Sequence, residues 1–449
     1  MSKDITIKKG LDIRLVGSAD KVLVDAPKSK TCTIQPADFH LTIPKMVVKE
    51  GAKLRAGDEL FYSKTQDSIK VVSPIAGTLK EITRGAKRVI THIVIEADGS
   101  NESRDFGAVN VASADAEVLR ARFLESGLWP FIKQRPYDVI ANPTSEPKAI
   151  FISGYASAPL VADLDYTLAK QEEKLQAAVT ALSKMTKGQV HVTIGKDSVS
   201  PFENLKDITL HKITGPHPAG NVGTQISKID PVNKGEVVWT VNAQDLIVIG
   251  ESLLTGHFNS ERQIAVAGSS VKAPKYFRTH IGADLEGILN EAGIEANSRV
   301  ITGSVLTGDK TTAKGNLGYY HNTVSVIPEG DDYEFFGWNK PVFNKISLTR
   351  ALTFSWMQPN KKYDLDTNTN GEHRAFVVTG MYEEVFPLDI YPLQIMKSCL
   401  VEDLDAMEQL GMYEVAPEDF ALTEFVCVSK QPHQAIIRKG LDVMYKEIG

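Results

Sequence analysis

Val48-Lys-Glu-Gly51-Ala-Lys-Leu54-Arg-Ala-Gly57-Asp58-Glu-Leu60 decides how the first hundred residues fold. Its apolar residues and turn glycines are spaced as two short strands joined by tight turns. A second half of the same kind follows in Ser73-Pro74-Ile75-Ala76-Gly77-Thr78-Leu79 and then Val89 to Ile95. Together the halves predict a small β-sandwich. The tight basic knot Arg84-Gly85-Ala86-Lys87-Arg88 reads as a solvated hairpin, with docking to an acidic partner or a phosphate as the alternative.

This pattern resembles the half-barrel of biotin- and lipoyl-carrier domains. In those domains a lysine sits on a hairpin tip eight residues before the proline of the second half. Here that position is Gln66, and Lys64 lies two residues off register. An amide offers no amine to acylate, so swinging-arm chemistry is lost and packing or docking is the expected role.

With 449 residues the chain has room for about three domains, each with its own core. Apolar residues at 42% and charged residues at 24% are ordinary globular values. A net charge of -6 argues against nucleic acid as a partner, because phosphate contact needs clustered Lys and Arg. Cys32, Cys399 and Cys427 are too few and too scattered for a disulfide framework or four cluster ligands, and free thiols suit a reducing cytoplasm. No apolar run reaches the roughly 18 residues of a membrane span, and Ser2 to Lys9 is polar. Contact with a membrane is therefore expected only through partners.

The remaining chain makes the expected fold class multidomain α/β and α+β. Residues 1–100 form the biotinyl/lipoyl-like barrel sandwich, and residues 101–256 a Rossmann-like α/β domain. Ala149 to Ser153 and Gln189 to Ile194 read as buried strands of the latter. Between them Leu168, Leu175, Val179, Leu182 and Met185 share one face of a helix ending at Gly188. The loop Gly154-Tyr-Ala-Ser-Ala-Pro-Leu160 lacks the glycine spacing that admits a dinucleotide pyrophosphate, so NAD has no support here. Residues 257–330 read as a β-grasp: Ile264 to Gly268, Lys275 to Thr279, a helix through Leu285, Ile288, Leu289 and Ala292 stopped by Gly293, then Val300-Ile301 and Thr323 to Ile327. Residues 331–449 form a mixed, helical tail. Leu400, Leu404, Met407 and Leu410 give helical spacing ended by Gly411, and Glu402, Asp403, Asp405 and Glu408 read as its solvated face.

In this order the parts resemble the A-subunit family of the sodium-translocating NADH:quinone oxidoreductases over nearly the whole chain. The resemblance rests on Ile7-Lys-Lys-Gly-Leu-Asp12, Arg84-Gly-Ala-Lys-Arg-Val89, Gly215-Pro-His-Pro-Ala-Gly220, Phe335-Phe-Gly-Trp338 and Phe386-Pro-Leu-Asp-Ile-Tyr-Pro-Leu393. Asp405-Ala-Met-Glu-Gln-Leu-Gly411 and Pro417-Glu-Asp-Phe-Ala-Leu422 extend it into the tail, where Thr423 stands in place of an expected cysteine. It implies a peripheral subunit on the cytoplasmic side of the bacterial inner membrane. That subunit would dock on the membrane arm, especially on the membrane-embedded B subunit, in a complex that couples NADH oxidation and quinone reduction to sodium export. FAD, FMN, riboflavin and iron-sulfur centres would lie in companion subunits, with no cofactor bound by this one. An FMN- and NADH-binding subunit of an Rnf-like complex is the alternative, and a pure docking scaffold a third reading.

Wider kin, the C subunit of Rnf complexes and the flavin-bearing subunit of complex I, place a glycine-rich flavin loop after Ser-Gly-Leu. Here Ser126-Gly127-Leu128 runs into Trp129-Pro130-Phe131-Ile132-Lys133, whose rings and proline take the space of a flavin phosphate. A vestigial flavin cleft lined by Leu128, Trp129, Phe131 and Lys133, with Tyr155 from the next loop, would suit a quinone headgroup. The competing reading is an emptied site refilled by core side chains. His217, between Pro216 and Pro218, has no second ligand at metal spacing and reads as a hydrogen-bonded histidine in a rigid turn.

Overall fold

Two small sheets close the barrel sandwich. In the computed structural model, which describes residues 2–449 except Tyr333, Thr353 and Phe354, the first sheet runs Thr31–Ile34, Ile90–Ala97, Gly77–Arg84, Lys53–Leu54. The second runs Pro44–Met46, Glu59–Ser63, Lys70–Val72. Leu79, Ile93 and Ile95 are buried in alternation on their paired strands, and Leu60 and Phe61, successive residues at a register shift, are both fully buried as well. Gln66 sits in the turn between Glu59–Ser63 and Lys70–Val72, where the carrier lysine would stand. Its side-chain amide donates to Asn142 Oδ1 at 3.2 Å, so the tip is tethered to the α/β domain instead of swinging. The basic knot is the exposed turn between Gly77–Arg84 and Ile90–Ala97, as its solvated-hairpin reading expects.

The α/β domain holds a seven-stranded sheet ordered Asp4–Thr6, Thr209–Thr214, Val190–Gly195, Ile150–Ser153, Val238–Thr240, Lys133–Arg135, Val139–Ile140. The first five are parallel; the last two pair antiparallel. The expected single helix is two, Leu164–Thr167 and Glu172–Ser183, because Lys170 takes a left-handed conformation between them. All five apolar positions named from the sequence are nonetheless buried.

Helix Glu172–Ser183 packs on Asp245–Thr255 at Gly250, where an added Cβ would lie 1.8 Å from the Lys174 carbonyl oxygen. Backbone cannot yield as a side-chain end can. Gly250→Ala should therefore push the helices apart and cost about 1–3 kcal/mol or more. An unchanged urea midpoint in the variant would contradict this close approach.

In the β-grasp, six strands run Asp309–Thr311, Ser298–Thr302, Thr323–Pro328, Glu261–Ala267, Lys275–His280, Asp20–Asp25. Helix Glu286–Ala292 buries Ile288, Leu289 and Ala292 against this sheet's core and stops at Gly293, whose φ is +69°. Two early strands thus leave the barrel: Asp4–Thr6 edges the α/β sheet and Asp20–Asp25 edges the β-grasp sheet.

The tail is helical, but the helix expected through Leu400 to Leu410 is broken. Pro392–Val401 ends at Glu402 in a left-handed conformation. Asp403 then caps Leu404–Gln409 by accepting the Ala406 N–H at 3.0 Å. Leu400 consequently faces solvent, and Glu402 and Glu408 pair with Lys439 and Lys234 on the outside. Of the Phe335–Trp338 motif, the Trp338 side chain lies outside the described residues.

Candidate ligand cavity at the carboxyl end of the parallel sheet

From Ile150–Ser153 the chain moves through Val190–Gly195 to Thr209–Thr214 on one side, then returns to Val238–Thr240 on the other. Connections that diverge from a central strand leave a crevice at the carboxyl ends of the strands. A cavity of about 480 Å³ lies there, against Ser153, Val222 and Thr240 to Asn242. Every other part of the molecule adds a wall: Asp38 and His40 from the barrel region, Tyr320 and Thr307 from the β-grasp, Glu418, Gln434 and Arg438 from the tail. Its size falls in the range of small-ligand sites.

Most charges around it are already paired. Arg438 reaches Asp138 at 3.1 Å, and His40 Nε2 lies 2.7 Å from Asp442. The Arg135 guanidinium, 1% exposed, holds Asp419 and Glu418, each at 2.7 Å. Lys133 differs. Its ammonium stands 4.4 Å from the Tyr320 ring centroid and has no carboxylate within salt-bridge distance among the described residues. The Tyr320 hydroxyl in turn donates to the Pro130 carbonyl at 2.8 Å, which fixes that ring in the wall. Burial pushes the Asp38 carboxyl up to about 6 and the Glu418 carboxyl up to about 7, against the pull of Arg135 on the latter.

Helix Val222–Ile229 begins at the cavity, and a helix amino end there is where a cofactor phosphate would sit. In this chain the tail fills that place. A Cβ on Gly223 would lie 2.2 Å from Asp419 Oδ1 and 2.5 Å from Arg135 Nη1. A native carboxylate thus stands against that helix end, its Oδ2 held by Arg135 and by the Ala416 N–H at 2.9 Å and its Oδ1 without a donor among the described residues.

Of the five residues singled out from the sequence, the structure brings Lys133 alone into this cavity. Leu128, Trp129 and Phe131 are core side chains with 1% exposure or less. Trp129 donates its indole N–H to the Ala141 carbonyl at 2.7 Å and meets Trp239 edge to face at 5.4 Å. Phe131 stacks on Tyr319 at 5.3 Å. The Trp129–Phe131 turn therefore backs the cavity through Tyr319 and Tyr320 without lining it. Tyr155 lies apart, half-buried beside Gly195. Sequence reasoning missed Asp38, Arg135, Glu418, Asp419 and Arg438, which carry no local signature of a shared site.

His217 is a buried turn residue whose Nδ1 meets Ser157 Oγ at 3.0 Å, and whose backbone N–H donates to Asp12 Oδ1 at 2.9 Å. Among the described residues no group of three or more His, Cys, Asp or Glu could hold a metal ion.

Three sequence families match successive parts: the NqrA N-terminal barrel-sandwich hybrid domain over residues 5–98, the NqrA second alpha/beta domain over 114–258, and the NQRA C-terminal domain over 263–313. The A subunit of the Na(+)-translocating NADH-quinone reductase of Neisseria meningitidis serogroup A is 37% identical over 446 residues, which is 99% of this chain and 100% of that one. The Vibrio campbellii protein of the same name is 36% identical over the same shares. This chain belongs to that A-subunit family. These relatives' names favour the A-subunit reading over the Rnf-like alternative, and catalysis in the family belongs to the whole oxidoreductase complex. A solved NAD+-reducing NiFe-hydrogenase superposes over 49% of this chain and 50% of its own with a TM-score of 0.35 at 13% identity. Among the described residues no helix is long and apolar enough to cross a membrane.

Proposed function

We propose that this chain is the peripheral, cytoplasmic-side subunit of a Na+-translocating NADH–quinone reductase, docked on the membrane arm chiefly through the membrane-embedded B subunit. Redox groups belong to companion subunits: FAD, FMN, riboflavin and iron-sulfur centres there, none here. Its cavity takes the quinone headgroup. The observation that carries this reading is the unpaired Lys133 ammonium at the switch-point cavity, beside an anion position already filled by Asp419. A phosphate-bearing cofactor would meet that carboxylate, whereas a neutral ring can offer its carbonyl oxygen to Lys133. Asp38 and Glu418 are carboxyls able to exchange protons with such a ring near neutral pH.

Calorimetric titration of the purified chain with a soluble quinone, alongside an absorbance scan for bound flavin, tests this. Saturable binding without flavin is expected. Lys133→Gln should weaken it about 10- to 100-fold, the value of a charge-assisted hydrogen bond. Lys133 discriminates better than Phe131, because truncating a buried ring removes packing whatever the cavity holds. No saturable heat from the unaltered chain would leave a docking scaffold.

A further inference from the structure

A second cavity, of about 260 Å³, opens between the loop Gly10 to Arg14 and the segment Ile346 to Tyr363. Arg14, Arg350 and Lys361 all face it, and none of the three pairs with a carboxylate among the described residues. Arg14 donates to the Asn360 side-chain oxygen at 2.6 Å and Lys361 to the Phe343 carbonyl, so two of them are held in place without being neutralised. Ser347, also in the lining, has a buried hydroxyl with no hydrogen-bond partner among the described residues. Asp12, whose carboxylate accepts the His217 N–H, lines the same hollow, so three cations face one carboxylate there in a chain whose net charge is -6.

The rim is apolar. Trp356 is 67% exposed and Met357 beside it 60%, and Phe343, whose carbonyl accepts from Lys361, is also mostly exposed. Among the described residues between Pro328 and Met381 the regular elements are the short turns Gly337–Asn339 and Ser355–Met357. Exposed Trp, Phe and Met next to Arg is the composition of an interface centre rather than of a free surface.

We infer that this face is a docking site for a companion subunit, whose extended segment carries carboxylates among apolar side chains and inserts one carboxylate between Arg14, Arg350 and Lys361. The inference rests on this chain being one subunit of a multisubunit complex. The cations supply charge complementarity and the rim supplies contact area. Ser347 gives an entering carboxylate a hydroxyl donor.

The test mixes the full-length chain with the remaining complex purified without it, and measures the affinity of reassembly. Arg350→Glu/Lys361→Glu and, separately, Trp356→Ser should each weaken reassembly at least tenfold while the urea midpoint and the quinone titration stay as in the unaltered chain. Because quinone binding is read at the other cavity, a failure there leaves this result legible. Reassembly at unaltered affinity in both variants overturns the proposal. So does retention in the complex with loss of binding to phosphatidylglycerol vesicles, which would make the face a lipid site. Self-association of the free chain that the variants abolish would assign the face to a second copy and overturn it as well.

Discussion

Asp419→Ala is expected to destabilise the chain by about 3–5 kcal/mol, the cost of leaving a buried charge without its partner. Arg135 is 1% exposed and Asp419 3%, with 2.7 Å between them, so neither can turn to water when the other is removed. Glu418 would remain on Arg135, but its carboxyl is pushed up to about 7 by burial and is a poor substitute. The same change frees the Ala416 N–H, which now donates to Asp419 Oδ2. Arg135→Met/Asp419→Leu, which removes both charges at similar volume, should recover much of the loss, since apolar replacement of a buried pair is often neutral. Urea unfolding followed by tryptophan fluorescence measures both variants, with Trp129 and Trp239 packed in the core of the α/β domain. If Asp419→Ala unfolds within about 1 kcal/mol of the unaltered chain, the pair does not clamp the tail to the sheet.

Short-range signals carried the parts of the fold that could be read in advance. The barrel halves, the β-grasp strands and the stop at Gly293 each depend on alternation or a turn glycine within a dozen residues. Asp4–Thr6 and Asp20–Asp25 escaped because their partners, Thr209–Thr214 and Lys275–His280, are far along the chain, the first having only three residues and the second being an edge strand with no buried residue. The break before Leu404 was written in Asp403, a helix-capping residue, but was outweighed by the apolar spacing around it.

The cavity shows a different limit. Trp129 and Phe131 were expected to line a cleft and are core residues instead, because an aromatic run looks the same in sequence whether it lines a hollow or fills a core. Lys133 could be picked out because a lysine after such a run has to reach a polar surface. Asp419, which stands against Gly223 at the start of helix Val222–Ile229, sits far beyond that run in a tail whose acidic residues look like any solvated face.

Mild acid should destabilise the protein between pH about 6.5 and about 4. Burial pulls His211, His217, His321 and His433 each down to about 4, whereas an unfolded chain titrates its histidines near 6.5. Across that window the unfolded state takes up protons that the native state refuses, so stability falls as pH falls. At about 1.4 kcal/mol per pH unit, each buried histidine contributes at most about 3.5 kcal/mol. Asp38 and Glu418 act in the opposite direction, because their raised values let the native state hold protons that the unfolded carboxyls release until about pH 4. Burial also raises Glu261, Asp309 and Glu414 and lowers His191 and His280, so six histidines stand against five carboxyls and acid destabilisation is the larger effect. His211 shows the local consequence: its Nδ1 accepts the Lys3 N–H at 3.1 Å, and its Nε2 lies 3.0 Å from His191 Nδ1. Protonation turns Nδ1 into a donor facing a donor, so the edge strand Asp4–Thr6 should release from Thr209–Thr214 before the rest unfolds. Hydrogen exchange of the Asp4–Thr6 amides at pH 7.5, 6 and 5, read beside the urea midpoint at the same values, separates the two stages. Protection there that persists to pH 5, with a level midpoint, would mean these histidines titrate normally in the folded chain.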